Sequence, residues 1–246
     1  MKKFPSDDKV LVCGHRGQGC YGIENTLTAF RLAIEDGVDM LETDVHLTKD
    51  GVPVVVHDTV QTRLSGDERR IDELTLAEAK TLRLGGTDET IPTLEEVLAV
   101  FDGSAPLLVE LKAGRRNHAA LCEAAMALLD TYQGLYAVQS FDPRCLLWLK
   151  AHRPSVVRGQ LAQNFHRSKE VNLPLRFLLT SLVLNVLTRP DYISYRFAHR
   201  RHPAFVLCSR MWKRPCAYWT LCDKAAFDAA VRSDAMPIFE GFLPEE

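Results

Sequence analysis

The chain has 246 residues, 46% of them hydrophobic, and a formal net charge of −2. This is enough apolar material for a sizeable core and a common length for one α/β barrel, while no apolar run reaches the length of a membrane span. The near-neutral balance hides an uneven distribution: eleven Lys or Arg between Arg158 and Arg214 face only Glu170 and Asp191, which suits an anionic partner, phosphorylated substrate or lipid headgroups, as well as it suits a solvated basic face.

In chain order, Met1-Lys2-Lys3-Phe4-Pro5-Ser6-Asp7-Asp8 carries positive charge but no apolar stretch before its acidic pair, and does not read as a signal peptide. Strand-like apolar runs follow at Val10–Cys13, Met40–His46, Pro53–His57, Leu107–Lys112, Tyr136–Gln139, Val156–Leu161, Tyr192–Tyr195 and Cys216–Leu221. Helical periodicity lies between most of them. Over Thr26–Asp36, Leu27, Phe30, Ala33 and Ile34 share one face and Gly37 ends the run; Asn117–Tyr132, Pro143–His152 and Lys224–Ser233 follow the same pattern. Eight strands alternating with helices predict a parallel (β/α)8 TIM barrel, one α/β domain over residues 1–246.

Two segments break this rhythm. Thr59–Phe101 is too long for one βα unit and rich in turn residues; with a short helix near Leu76–Thr81 and another at Thr93–Val100, it reads as a small insertion over the barrel mouth. Leu173–Leu187 is apolar on nearly every side, the pattern of a buried helix. Because it sits inside the basic stretch, an interfacial helix against anionic lipid is the alternative, with residues 158–214 as a peripheral membrane contact. The seven cysteines, at 13, 20, 122, 145, 208, 216 and 222, show no C-x-x-C and mostly sit in apolar runs, which fits reduced thiols and a cytoplasmic location.

Chemistry concentrates at the C-terminal ends of the early strands, where barrels of this kind carry their catalytic groups. His15 and Arg16 follow the first strand, Glu42 and Asp44 lie two apart on the second, His57 closes the third, and Glu110 and Lys112 lie two apart on the fourth. The two-residue period turns each spaced pair to one face. Three carboxylates aimed into one interior need positive charge among them. An all-oxygen set suits a hard cation such as Ca²⁺ or Mg²⁺; Arg16 and Lys112 could instead neutralise the acids as an ion-pair network. That second reading leaves the flanking histidines unexplained, and histidine is the side chain suited to proton transfer near neutral pH. His46 reads as a supporting or loop residue near the mouth. His118, His152, His166, His199 and His202 lack the carboxylate pattern of a zinc site.

Across these positions the chain resembles the glycerophosphodiester phosphodiesterases. The resemblance runs through His15-Arg16-Gly17, Glu24-Asn25-Thr26, Ala29-Phe30, Gly37-Val38-Asp39, Glu42-Thr43-Asp44-Val45, Thr48-Lys49-Asp50-Gly51 and Val55-Val56-His57-Asp58. It resumes at Ile91-Pro92-Thr93-Leu94-Glu95-Glu96, Glu110-Leu111-Lys112, Gln139-Ser140-Phe141-Asp142 and Trp219-Thr220. It is thin from Leu161 to Pro215, and Met236–Phe242 departs from the last loop of many members.

The resemblance implies a divalent metal held by Glu42, Asp44 and Glu110, with His15 and His57 as the acid–base pair. It further implies phosphate contacts from Arg16 and Lys112, pocket lining by Trp219 on the eighth strand, and support of the cluster by Glu24 and Asn25. The expected reaction is hydrolysis of small-molecule glycerophosphodiesters to glycerol 3-phosphate and an alcohol. Two alternatives stand beside it: a lysophospholipase D-type hydrolase at a membrane surface, and a non-catalytic phosphodiester-binding barrel. A nucleic-acid partner is disfavoured, since the basic stretch has no interleaved aromatic stacking platforms.

Overall fold

The computed structural model describes residues 11–17, 20, 22–114, 116–166 and 172–243. The expectations for residues 1–10, and for Arg167, Lys169 and Glu170, lie outside the described residues. Among the described residues there are nine strands: β1 Cys13–Gly14, β2 Met40–Leu47, β3 Pro53–Val55, β4 Leu107–Leu111, β5 Tyr136–Ser140, β6 Arg158–Ala162, β7 Tyr192–Arg196, β8 Cys216–Leu221 and β9 Met236–Phe239. Eight of them pair in parallel in the order β1, β2, β4, β5, β6, β7, β8, β9, and β9 returns to β1. The ring is therefore closed, as a (β/α)8 barrel requires.

The membership of that ring differs from expectation in one place. Pro53–His57 is not the third barrel strand. Its strand portion, β3, runs antiparallel against the end of β2, pairing Val45 with Val55 and Leu47 with Pro53. The eighth barrel strand is Met236–Phe239, so Trp219 lies on the seventh. The apolar run reads as a barrel strand, and β3 is buried on both faces for another reason. Val55 packs with Phe30, Leu94 and Phe101 outside the barrel, while Val54 and Val56 belong to a separate small core with Ile71, Leu74, Ala79, Leu82, Leu84 and Ile91.

The outer helices start where local chemistry caps them. Thr26 accepts the Ala29 N–H at the head of Leu27–Glu35, and Thr93 with Glu96 forms a reciprocal capping box at the head of Leu94–Phe101. These two helices meet through Phe30 and Phe101, ring centroids 5.5 Å apart. Leu94–Phe101 thus belongs to the outer layer of the barrel, and the excursion's own core draws on residues 54–91. Helices His118–Leu129, Pro143–His152 and Lys224–Arg232 fall where the periodicity put them, and Pro203–Trp212 is an additional helix.

The apolar segment Leu173–Leu187 is neither one helix nor buried all round. It forms Leu173–Thr180 and Asn185–Thr188, broken at Leu182, whose φ of 58° is left-handed. Leu182 packs with Ile193, Tyr195 and Phe205, whereas Leu173 and Phe177 remain 75% and 69% exposed. Among the described residues no helix is long and apolar enough to cross a membrane.

Inside the ring, Cys13, Met40, Leu108, Ala137, Tyr192, Ala217 and Ile238 fill the lower layer. Tyr192 fits because β6 offers Gly159 beside it, where an added Cβ would lie 2.1 Å from the ring. Two residues further along each strand, on the same face, stand Glu42, Glu110, Gln139, Ser194, Trp219 and Glu240. The packed layer is therefore the floor beneath a polar mouth.

Candidate active site

Glu42, Asp44 and Glu110 meet at this mouth, each offering a carboxylate oxygen within 4.8 Å of the others. Parallel pairing of β2 with β4 sets Asp44 opposite Glu110. All three are buried. Lys112, two residues beyond Glu110, places Nζ 2.8 Å from Glu110 Oε1 and 3.1 Å from Asp44 Oδ1.

Arg16 enters from the turn after β1, where the chain takes left-handed dihedrals (φ 52°, ψ 37°). This bend sends its guanidinium back over the cluster: Nε lies 3.1 Å from Asp44 Oδ2, and Nη1 donates to Glu24 Oε1 at 3.0 Å. The Arg16 backbone N–H donates to Glu42 Oε2 at 3.2 Å. Asn25, also at positive φ (58°), donates from Nδ2 to Asp44 Oδ2 at 2.9 Å and accepts the Thr43 hydroxyl through Oδ1.

The electrostatics diverge within the acidic group. Burial raises the Glu42 pKa well above the carboxylate range, and the neighbouring Asp44 and Glu110 charges add to that. Burial acts the same way on Asp44, but the Lys112 and Arg16 cations overcome it and leave its pKa depressed. Burial opposes the charge on Lys112 as well; Asp44 and Glu110 outweigh it, and the ammonium pKa is raised. Three carboxylates thus share two cations, and the one with the least compensation titrates high. An all-oxygen set still short of one positive charge fits a divalent hard cation.

The two histidines flank this group on differently built supports. His15 Nδ1 is 2.6 Å from Glu240 Oε2, at the end of β9, while its Nε2 lies 4.0 Å from Glu42 Oε2. His57 Nδ1 is 2.7 Å from Asp58 Oδ1. Arg63 clamps that carboxylate, donating from Nε to Asp58 at 2.7 Å and from both terminal nitrogens to Glu24 at 2.6 and 3.0 Å. Since Glu24 also accepts from Arg16, one chain of charged contacts links the excursion to the β1 turn. Burial lowers the His57 pKa, with Asp44 pulling the other way. His46, at the end of β2, is buried and donates from Nε2 to the His57 carbonyl at 3.1 Å. It is a support for the His57 segment.

Trp219 stands across the mouth on β8, its ring edge-on to Phe141 at 5.5 Å, and Phe141 is edge-on to Phe165 at 6.1 Å. The sequence reading missed Glu240 and Arg63. Glu240 carries the same signal that marked the others, an acid directly after a short apolar run; Arg63 carries none, because its partners are 5 and 39 residues away in sequence.

The sequence profile of the Glycerophosphoryl diester phosphodiesterase family matches residues 15–240. A glycerophosphodiester phosphodiesterase of Caldanaerobacter subterraneus is 34% identical over 164 residues, covering 63% of this chain and 68% of that protein. The lysophospholipase D GDPD1 of Rattus norvegicus is 32% identical over 131 residues, covering 48% of this chain and 40% of that protein. A Bacillus subtilis relative, YhdW, is matched at 35% identity over 60% of this chain and 63% of its own length. The chain thus spans from two fifths to about two thirds of these curated relatives. A phosphodiesterase structure from Oleispira antarctica, in complex with the product sn-glycerol-3-phosphate, superposes with a TM-score of 0.78 at 24% identity, covering 94% of this chain and 92% of that one. With the family profile spanning nearly the whole ring and its mouth, the chain belongs to the glycerophosphoryl diester phosphodiesterase family.

Proposed function

We propose that this protein hydrolyses glycerophosphodiesters to glycerol 3-phosphate and an alcohol, with His15 and His57 as its acid–base pair. The observation that carries the reading is the convergence of Glu42, Asp44 and Glu110 within 4.8 Å around two cations, with His15 at their edge. The sn-glycerol-3-phosphate bound by the Oleispira protein is the product this reaction would yield. Glu42, Asp44 and Glu110 would hold a Ca²⁺ or Mg²⁺ ion. Such an ion, when bound, supplies positive charge beside the phosphate.

Arg16 and Lys112 are positioned to donate to the non-bridging oxygens of the diester, where negative charge grows as the reaction proceeds. Both histidines have Nδ1 engaged by a carboxylate, Glu240 for one and Asp58 for the other. Each ring therefore presents Nε2 for proton transfer. One takes the proton of the attacking hydroxyl, that of water or that on the neighbouring glycerol carbon, and the other protonates the departing alkoxide; attack by the glycerol hydroxyl closes a cyclic phosphate, which a water then opens to glycerol 3-phosphate in a second half-step. Trp219 and Phe141 supply the apolar wall opposite. The seven cysteines are free, which supports a reducing, cytoplasmic setting.

The test is release of glycerol 3-phosphate from a panel of glycerophosphodiesters with Ca²⁺, with Mg²⁺ and with chelator. Turnover that needs one of the ions is expected; a panel left intact under every condition would reject the reading and favour a binding barrel. A second reading keeps the chemistry and moves the substrate to a membrane, as a lysophospholipase D. It is favoured by the exposed Leu173, Phe177, Val186, Leu187, Leu207 and Met211 on neighbouring helices, set among Arg189, Arg210 and Lys213.

A further inference from the structure

The far side of the mouth has a chemistry that the hydrolysis itself does not use. In the eight-membered ring, β7 stands opposite β2 and β8 opposite β4. Tyr192 on β7 fills the barrel floor, so the two-residue period turns Ser194 and then Arg196 toward the same interior. Arg196 is the last residue of β7 and registers beside Trp219 of β8. Arg196 therefore ends the strand opposite the one that carries Glu42 and Asp44, and Trp219 lies on the strand opposite the one that carries Glu110.

The charged side chains at the end of this strand and in the turn after it are cations. The Arg196 guanidinium donates to Gln163 Oε1 at 3.1 Å, and no carboxylate pairs with it among the described residues. The Trp219 Nε1–H is buried with no hydrogen-bond partner. His199, in the turn Phe197–His199 directly after β7, accepts the Asn164 backbone N–H at Nδ1 (3.2 Å), which leaves Nε2 to carry the ring proton outward. Arg200 lies over the Phe197 ring at 3.8 Å, its charge met by a π-face.

We infer that this side of the mouth is an anion subsite centred on Arg196. Resting on the hydrolase reading above, it would make the preferred substrate a glycerophosphodiester whose alcohol carries a second anionic group, phosphate or carboxylate, at its far end. The cleaved phosphate sits with Arg16 and Lys112, the alcohol passes the Phe141–Trp219 wall, and the second anion meets Arg196. The same cationic side disfavours a leaving alcohol that bears a quaternary ammonium.

A matched pair of substrates tests this: glycerophosphoinositol and the same diester with one phosphate monoester on its inositol ring, compared by kcat/KM for glycerol 3-phosphate release. The wild type is expected to favour the phosphorylated member by about tenfold, the scale of one charge-assisted contact. Arg196→Gln should bring the ratio to within about twofold of unity, and Arg196→Lys should keep part of it, since charge survives but the planar fork does not. The ratio is taken within one preparation, so a partly misfolded variant does not distort it. A wild-type ratio near unity, or a ratio that Arg196→Gln leaves intact, overturns the subsite while both substrates still turn over. If neither substrate releases glycerol 3-phosphate, the hydrolase reading fails and the subsite with it.

Discussion

His15 and His57 have equivalent hydrogen bonds and unequal foundations. Each ring has its Nδ1 on a carboxylate 2.6–2.7 Å away, but Glu240 directly follows barrel strand β9 and Asp58 belongs to the excursion, held by Arg63. Replacing either histidine with Ala should lower kcat by at least ~100-fold, the usual scale for an acid–base group. Steady-state turnover of His57→Ala within tenfold of wild type would remove His57 from that role. At this scale much was legible from spacing. Pairs two apart on a strand must share a face, so Glu42 with Asp44 and Glu110 with Lys112 could be placed before any coordinates. Arg63 could not, because a long side chain on an irregular segment reaches partners that no period encodes.

Strand β2 carries more than the acidic pair. His46, next to its end, is pushed by burial to a pKa of about 4, with the Lys112 charge adding to the shift. The fold tolerates only the neutral ring. The ordinary value near 6.5 belongs to the unfolded chain, so unfolding takes up a proton between the two. The stabilisation is whole above pH 6.5 and is lost as pH falls toward 4, about 3 kcal/mol once both states have titrated. Thermal melts from pH 7 to pH 4 should therefore drop more steeply for wild type than for His46→Gln, which keeps a donor for the His57 carbonyl. Parallel slopes would refute that account. Two element-level misreadings share a physical cause. Val54-Val55-Val56 is apolar on consecutive residues because two different cores grip it, and Leu173–Leu187 keeps much of its apolar surface exposed instead of burying it all round. Composition records that a side chain is apolar, not what covers it. Met236–Phe239 escaped notice because four residues beginning Met-Pro carry little pattern.

Over the whole molecule, charge and apolar exposure coincide on one flank. The helices Leu173–Thr180, Asn185–Thr188 and Pro203–Trp212 present Leu173, Phe177, Val186, Leu187, Leu207 and Met211, with Arg189, Arg210 and Lys213 interspersed. Asp191, the one described acid in this stretch, is engaged by Arg158, which donates its backbone N–H to it at 3.0 Å. An anionic bilayer complements such a surface better than a second copy would, since a two-fold contact sets cations against cations. Flotation with phosphatidylglycerol vesicles should carry the protein upward at low salt, and Phe177→Asp should weaken it; protein left in the buffer with both anionic and zwitterionic vesicles would dismiss the membrane reading. The barrel itself was legible from strand–helix alternation, but which eight runs close the ring was not, because closure is decided by pairing partners far apart in sequence. The short strand β3 gives that closure one last consequence. His57 is mounted on an outrigger with its own small core, while His15 and the acids belong to the hull. With His57 in the proposed role, the reaction centre would be assembled across a seam, and a disturbance of the outrigger alone would silence chemistry while the hull stays watertight.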